Sequence, residues 1–370
     1  MSSITLFGTD GDDVFVRVIT EVRELTIFGL GGNDLIFGGA SNDRLVGGDG
    51  DDVIPARAGD DTLLGGKGDD LLAAQDGNDF LDGGDGNDIL IGDNGDDTII
   101  TGDGVNTVFA GNGRDVIFTS GTLNTVATED GNDLVQGGDG VDLADGGNGD
   151  DTLFGGGGDD AIAGEGGNDF LDGGLGNDIL IGGIGNDRIF GRIGNDQLFG
   201  NEGNDSLDGN SGDDFIDATS GDDSLAGGSG NDTLLGGQGN DKLNGGNGND
   251  ILTGVEATNP ELGFGSGELD ILTGGGGRDV FVLGNELSVF YDSKGFRDYA
   301  LITDFSKRVD SIQLRGNISD YRLGDINKGS ATSGAGIFFG DNELIAVLKD
   351  VSSSALDLAK ASQFTFVSQI

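Results

Sequence analysis

The chain has 370 residues, 77 of them Gly and only 2 Pro, and its 67 acidic against 19 basic side chains give a formal charge of −48. Such a charge repels nucleic-acid phosphate and anionic lipid surfaces, and the scarcity of Pro excludes collagen. Cys and His are both absent, which removes disulfide frameworks, thiolate or imidazole metal sites and every Ser-His triad.

In chain order, the opening Met-Ser-Ser-Ile-Thr-Leu-Phe-Gly-Thr-Asp has neither a basic patch nor a long apolar run, so no cleaved secretory signal is expected. No stretch approaches the ~18 apolar residues of a membrane-spanning helix. Residues 8–16 form one nonapeptide unit, and a charged, β-branched segment follows over 17–28. From Gly29 to Thr253 the pattern Gly-Gly-x-Gly-x-Asp-x-(aliphatic)-x then recurs in 25 units without losing phase. The fourth position is Gly except at Ser41 and Thr122, the sixth is Asp except at Asn106 and Asn124, and the eighth is aliphatic except for the small Ala144. The 18-residue stretches beginning at Ala74 and Gly164 nearly coincide, which points to internal duplication. Phase breaks over 254–264, a loop containing Pro260, and resumes with Leu269-Asp270-Ile271-Leu272 and with 274–282. Beyond that Gly thins out, and strands are predicted at Val280-Phe281-Val282-Leu283, Ala300-Leu301-Ile302, Ile312-Gln313-Leu314, Ile337-Phe338-Phe339 and Leu344-Ile345-Ala346-Val347-Leu348.

Each unit has a physical reading. Six Gly-rich residues make a turn, because Gly accepts positive φ and close backbone approach. The last three make a very short strand with its central side chain inward and the seventh-position side chain outward. Two units form one coil of 18 residues, giving two short parallel sheets face to face around a thin aliphatic core. Stacking then sets each sixth-position Asp about 4.8 Å from the Asp two units away, where like charges repel by about 0.9 kcal/mol even in water. A cation between consecutive turns removes that repulsion. With only carboxylate and carbonyl oxygens on flexible turns, the ligand chemistry suits Ca²⁺ better than Mg²⁺. Asn106 and Asn124 follow one another on the same side and lack the charge that attracts a divalent ion, so a gap in that ladder is expected there.

The repeat Gly-Gly-x-Gly-x-Asp-x-U-x resembles the RTX, or haemolysin-type, calcium-binding repeat, over residues 8–282. The resemblance implies an all-β, right-handed parallel β-roll (an RTX solenoid) with a β-rich C-terminal cap, binding multiple Ca²⁺ between turns on each side. It divides the chain into an N-terminal cap with one isolated repeat (1–28), the roll (29–282, with the loop at 254–264) and the C-terminal cap (283–370). The stretches Asp279-Val280-Phe281-Val282, Ile302-Thr303-Asp304-Phe305, Asp310-Ser311-Ile312-Gln313-Leu314 and Val289-Phe290-Tyr291-Asp292 are similar to the cap of cyanobacterial members. Carried over residue by residue, the resemblance makes ligands of Asp13, Asp34, Asp43, Asp52, Asp61, Asp70, Asp79, Asp88, Asp97, Asp115, Asp133, Asp142 and Asp151. In the remaining units it does the same for Asp160, Asp169, Asp178, Asp187, Asp196, Asp205, Asp214, Asp223, Asp232, Asp241, Asp250, Asp270 and Asp279.

It also implies folding on Ca²⁺ after unfolded export by type I secretion machinery, without an N-terminal signal peptide. The final Phe364-Thr365-Phe366-Val367-Ser368-Gln369-Ile370 would then serve as the export signal, and the location would be extracellular or at the cell surface. No catalytic constellation is visible, so a structural or surface/matrix protein is expected rather than an enzyme. The alternatives are a calcium-dependent adhesin, an ice-binding solenoid and an RTX-type polysaccharide-modifying enzyme. Ice binding would want a regular Thr array, whereas Thr62, Thr98, Thr107, Thr125, Thr152 and Thr233 are scattered over both sides. The expected partners are calcium, the secretion machinery, and either a second copy through an apolar strip of seventh-position residues or cell-surface polysaccharide.

Overall fold

The computed structural model describes residues 3–15, 24–255, 268–283, 299–326, 333–340 and 343–367. The Val289-Phe290-Tyr291-Asp292 stretch, Pro260, most of the 17–28 and 254–264 segments and the last three residues lie outside the described residues. The chain forms two compact units, Met1–Leu180 and Ile181–Ile370, and each is a parallel β-solenoid.

In the first unit, strands of alternate repeats pair in parallel at an offset of 18 residues. Arg44–Asp49 pairs with Thr62–Lys67 in one sheet, with Leu45 opposite Leu63. Val53–Ala58 pairs with Leu71–Asp76 in the other, with Ile54 opposite Leu72. The strands are longer than the three residues that the repeat suggests: most have six, taking in the first three positions of the following unit. Those positions continue the ladder (Gly48 opposite Gly66, Asp49 opposite Lys67) around a sharp bend at the intervening glycine. Bending without leaving the ladder requires a left-handed second position, supplied by Gly66 (φ 122°) and Gly84 (φ 100°) but also by Arg57 (φ 93°), Gln75 (φ 84°) and Asp93 (φ 73°).

In the second unit the same stacking runs through Ser206–Ser211, Ser224–Ser229 and Lys242–Asn247. Lys242–Asn247 then pairs with Ile271–Gly276 at an offset of 29, so the ladder closes as though the intervening insertion were absent. The C-terminal strands continue both sheets. Val280–Val282 pairs with Ser311–Arg315, which pairs with Phe364–Val367. Ile271–Gly276 pairs with Ala300–Ile302, which pairs with Glu343–Lys349. Tyr321–Ile326 and Gly334–Phe339 add antiparallel strands to that edge. They close it over a cluster of Leu301, Ile326, Phe338, Leu344 and Val347, with the Arg322 guanidinium 3.9 Å from the Phe338 ring centre. No helix among the described residues is long and apolar enough to cross a membrane.

The eighth-position aliphatics are the core. Ile54, Leu72 and Leu90 form one fully buried column, and Leu45, Leu63 and Leu81 form the facing one. Seventh and ninth positions face outward together, so Val53, Ile89 and Phe109 are exposed by 38–44%. Each repeat strand thus contributes one large buried aliphatic, joined in some by a small first-position residue such as Ala56 or Ala74, and burial of a Leu is worth roughly 2–3 kcal/mol. Leu72→Ala is expected to lower stability by about 2–5 kcal/mol in urea titrations at saturating Ca²⁺. Ile89→Thr on the outer face should change it by about 0.5 kcal/mol or less.

Candidate metal centres

The sixth-position residues are brought together as two ladders in each unit. In the first unit, one runs Asp13, Asp34, Asp52, Asp70, Asp88, Asn106, Asn124, Asp142, Asp160, Asp178. The other runs Asp43, Asp61, Asp79, Asp97, Asp115, Asp133, Asp151, Asp169. In the second unit, Asp187, Asp205, Asp223, Asp241 and Asp270 form one ladder. Asp196, Asp214, Asp232, Asp250 and Asp279 form the other, and it continues to Asp310.

Rungs between successive aspartates share one chemistry, whereas Asn106 to Asn124 and Asn124 to Asp142 are joined by side-chain amides. The backbone N–H of one Asp donates to Oδ1 of the Asp in the next coil, at 2.7 Å from Asp34 to Asp52 and 2.8 Å from Asp52 to Asp70. The second oxygen is treated differently. Oδ2 of Asp34, Asp52, Asp61, Asp70, Asp79, Asp88, Asp97, Asp115, Asp133, Asp151 and Asp160 is buried and accepts no hydrogen bond. The same holds for Asp205, Asp214, Asp223, Asp232, Asp241 and Asp250. A buried charged oxygen without a partner costs several kcal/mol, and a row of them needs a counter-charge.

The surroundings fit a cation. A β-carbon added to the first-position glycine would fall against this oxygen and against the first-position carbonyl of the next coil: Asp52 Oδ2 and the Gly65 carbonyl for Gly47, Asp88 Oδ2 and the Thr101 carbonyl for Gly83. A carboxylate oxygen and a carbonyl oxygen therefore converge on a small, side-chain-free space. Among the described residues no three acidic side chains meet at one point, so each site would hold one buried carboxylate with backbone carbonyls, a hard-oxygen set that suits Ca²⁺. Ca²⁺, when bound, would supply the missing positive charge; the protein's part is to hold Oδ2 and the carbonyls towards one space with Oδ2 buried.

Some turns among the described residues close differently. The amide four residues before the aspartate donates to its Oδ2 from Thr9 to Asp13 (2.6 Å), Gly39 to Asp43 (2.7 Å), Gly138 to Asp142 (3.2 Å) and Ser306 to Asp310 (2.7 Å). Asp13, Asp43 and Asp142 are thus placed in the ladders with their second oxygen already satisfied. Two features escape a reading of the sixth position alone. Asp310 extends its ladder although its turn has lost the glycines, the surviving signal being Asp310-Ser311-Ile312-Gln313. Fifth-position Asn and Asp form an outer ladder, each Oδ1 accepting the next coil's N–H: Asp51 to Asn33, Asp69 to Asp51, Asn87 to Asp69. The recurrent Asn-Asp and Asp-Asp pairs were its signal.

Burial drives the carboxyls of Asp52, Asp61, Asp70, Asp88, Asp97 and Asp241 upward, with like-charged neighbours adding to it and the N–H bond to Oδ1 opposing it. Asp52 and Asp88 are pushed up to about 6, Asp61, Asp70 and Asp97 to about 7, and Asp241, beside Asp270, to about 9. A carboxyl raised in the folded state stabilises the fold below its unfolded value and loses that contribution as pH rises through the folded one. In chelator, β-structure should therefore increase as pH falls from about 8 to about 4, read by circular dichroism; a decrease would contradict this arrangement. Asp70→Asn, which keeps the acceptor for the Asp52 N–H but removes the charged oxygen, should lower the number of bound Ca²⁺ and raise the Ca²⁺ midpoint of folding, measured by calorimetry and dichroism.

A family model described as RTX calcium-binding nonapeptide repeat (4 copies) matches residues 26–54, 56–90, 82–117, 91–125, 118–153, 128–162, 145–180, 154–189, 181–216, 190–225 and 217–252. None of the curated proteins compared with the chain matches it. With more than half of the residues matched, and the orphaned carboxylates where the repeat's aspartates stand, the chain belongs to the RTX calcium-binding nonapeptide repeat family.

Proposed function

We propose that this is a secreted calcium-binding β-roll that stays unfolded in the cell, folds when it meets extracellular Ca²⁺, and serves as a structural or surface/matrix component rather than as an enzyme. The observation that carries the reading is the row of buried, unpartnered Oδ2 atoms at one-coil spacing in each unit. Without a counter-charge those carboxylates oppose stacking, and the single column of aliphatics per sheet is too thin to overcome that together with a formal charge of −48.

The calcium dependence follows from mass action. Extracellular Ca²⁺ modules bind at about 10⁻⁴–10⁻³ M. At ten times that Kd each site contributes about 1.4 kcal/mol, and at a hundredth of it only about 0.006 kcal/mol. The same sequence is thus held open at cytosolic calcium and closed outside, the behaviour that export of an unfolded chain through type I machinery requires. The test is circular dichroism of the full chain with and without Ca²⁺ at neutral pH. A disordered spectrum in chelator and a cooperative gain of β signal on adding Ca²⁺ are expected; full β signal in excess chelator would overturn the reading.

A further inference from the structure

Three consecutive turns in the first unit are built without the unpartnered oxygen. Asn106 Oδ1 accepts the Asp88 N–H at 2.8 Å, the same contact that Asp makes elsewhere in the ladder. That bond fixes the amide's orientation, because turning it over would set two donors against each other. Nδ2 of Asn106 therefore stands where other rungs have a charged oxygen, and it donates to Asn124 Oδ1 at 3.2 Å and to the Gly102 carbonyl at 3.3 Å. Asn124 Nδ2 donates in turn to Asp142 Oδ1 at 2.7 Å. The chain of donors ends on Asp142, whose Oδ2 accepts from the Thr119 hydroxyl at 3.0 Å and the Gly138 amide at 3.2 Å.

The outer edge of the same turns changes with the inner one. The fifth-position ladder of Asn and Asp ends where Val105 donates to Asn87. Val105, Leu123 and Val141 then stand in register in place of polar side chains, with Val105 46% and Val141 36% exposed. The strands Val105–Asn112 and Leu123–Asp130 are the longest in the solenoid, because the residues leading into the sixth position are extended and paired rather than turned. Thr101 and Thr119 are buried at first positions, as Thr128 is in the Asp133 turn, but only the Thr119 hydroxyl donates to a ladder carboxylate of this segment, Asp142 Oδ2.

We propose that the turns of Asn106, Asn124 and Asp142 form a metal-free window, in which a relay of side-chain hydrogen bonds replaces Ca²⁺ and divides this ladder into two separate calcium blocks, although the family repeat spans these residues. An N–H donor aimed into the space repels a cation, and the one carboxylate present has both oxygens engaged. The facing ladder through Asp97, Asp115 and Asp133 keeps its unpartnered oxygens and stays continuous beside the window.

The inference rests on calcium binding by the other turns, and the test separates the two. Anomalous diffraction at the calcium edge from crystals of the full chain in Ca²⁺ should show ions at the turns of Asp52, Asp70, Asp97 and Asp115 and none at the turns of Asn106, Asn124 and Asp142. Ions of equal strength in the window overturn the inference and leave calcium binding standing; ions nowhere overturn the calcium reading itself. In solution, Asp142→Asn should leave the Ca²⁺ stoichiometry unchanged, while Asp70→Asn lowers it by at least one. Loss of an equivalent in Asp142→Asn overturns the window, and if that variant does not fold the wild-type diffraction decides alone.

Discussion

A carboxylate with one oxygen tied to the backbone and the other buried without a partner is the constraint on which the rest of this structure depends. The tie, from the N–H of one coil to Oδ1 of the next, sets the one-coil offset and keeps the sheets in register. The loose oxygen carries the cost. Repeated along both sides of each unit, it opposes stacking unless a counter-charge is present, which is the ground for the calcium-conditional fold proposed above. An ordinary globular domain of this length would draw its stability from a broad apolar interior. Here the interior of the repeats is one large aliphatic per strand with an occasional small neighbour, and the buried carboxylates line its edges.

The glycines serve the same constraint. At the first position the backbone must come close enough to the carboxylate for a carbonyl of the next coil to share its space. At the second the chain must turn left-handed without leaving the ladder. Several turns manage the second task with Arg57, Gln75, Asp93, Glu129 or Glu165 at positive φ, each at a cost on the order of 1–3 kcal/mol. That strain has to be offset by whatever holds the turn closed. The turns of Arg57, Gln75, Asp93 and Glu129 also carry the unpartnered oxygens of Asp61, Asp79, Asp97 and Asp133, so a cation bound there would neutralise the oxygen and offset the strain.

Much of this was legible because the period is short and each position has one duty. The phase from Gly29 to Thr253 placed the inward aliphatics, the outward seventh positions and the stacked aspartates, since an 18-residue coil leaves no other register. The strand length was not, because positions one to three look like turn residues and pair only after a left-handed bend that depends on tertiary stacking. The closed turns at Asp43 and Asp142 were hidden as well. Asp43 keeps its sixth-position identity, and the Gly39 amide that donates to its Oδ2 is what distinguishes it from Asp52. Tyr321–Ile326, buried only at its two ends, gave no periodic signal to read.

The two kinds of turn respond differently to the medium. A cation-held turn contributes a free energy that rises with the logarithm of calcium concentration. A turn held by hydrogen bonds contributes about 1 kcal/mol per bond whatever the calcium level. The relay from Asp88 through Asn106 and Asn124 to Asp142 removes two negative charges from the inner ladder and three polar positions from the outer one. Like-charge repulsion along that edge is therefore lowest where the metal-free window is proposed. On the proposed reading, coils on either side of this segment draw on calcium to stack, while the segment itself stacks by its own amides. A chain whose folding is proposed to follow one solute would thereby carry a stretch on one face that does not answer to it.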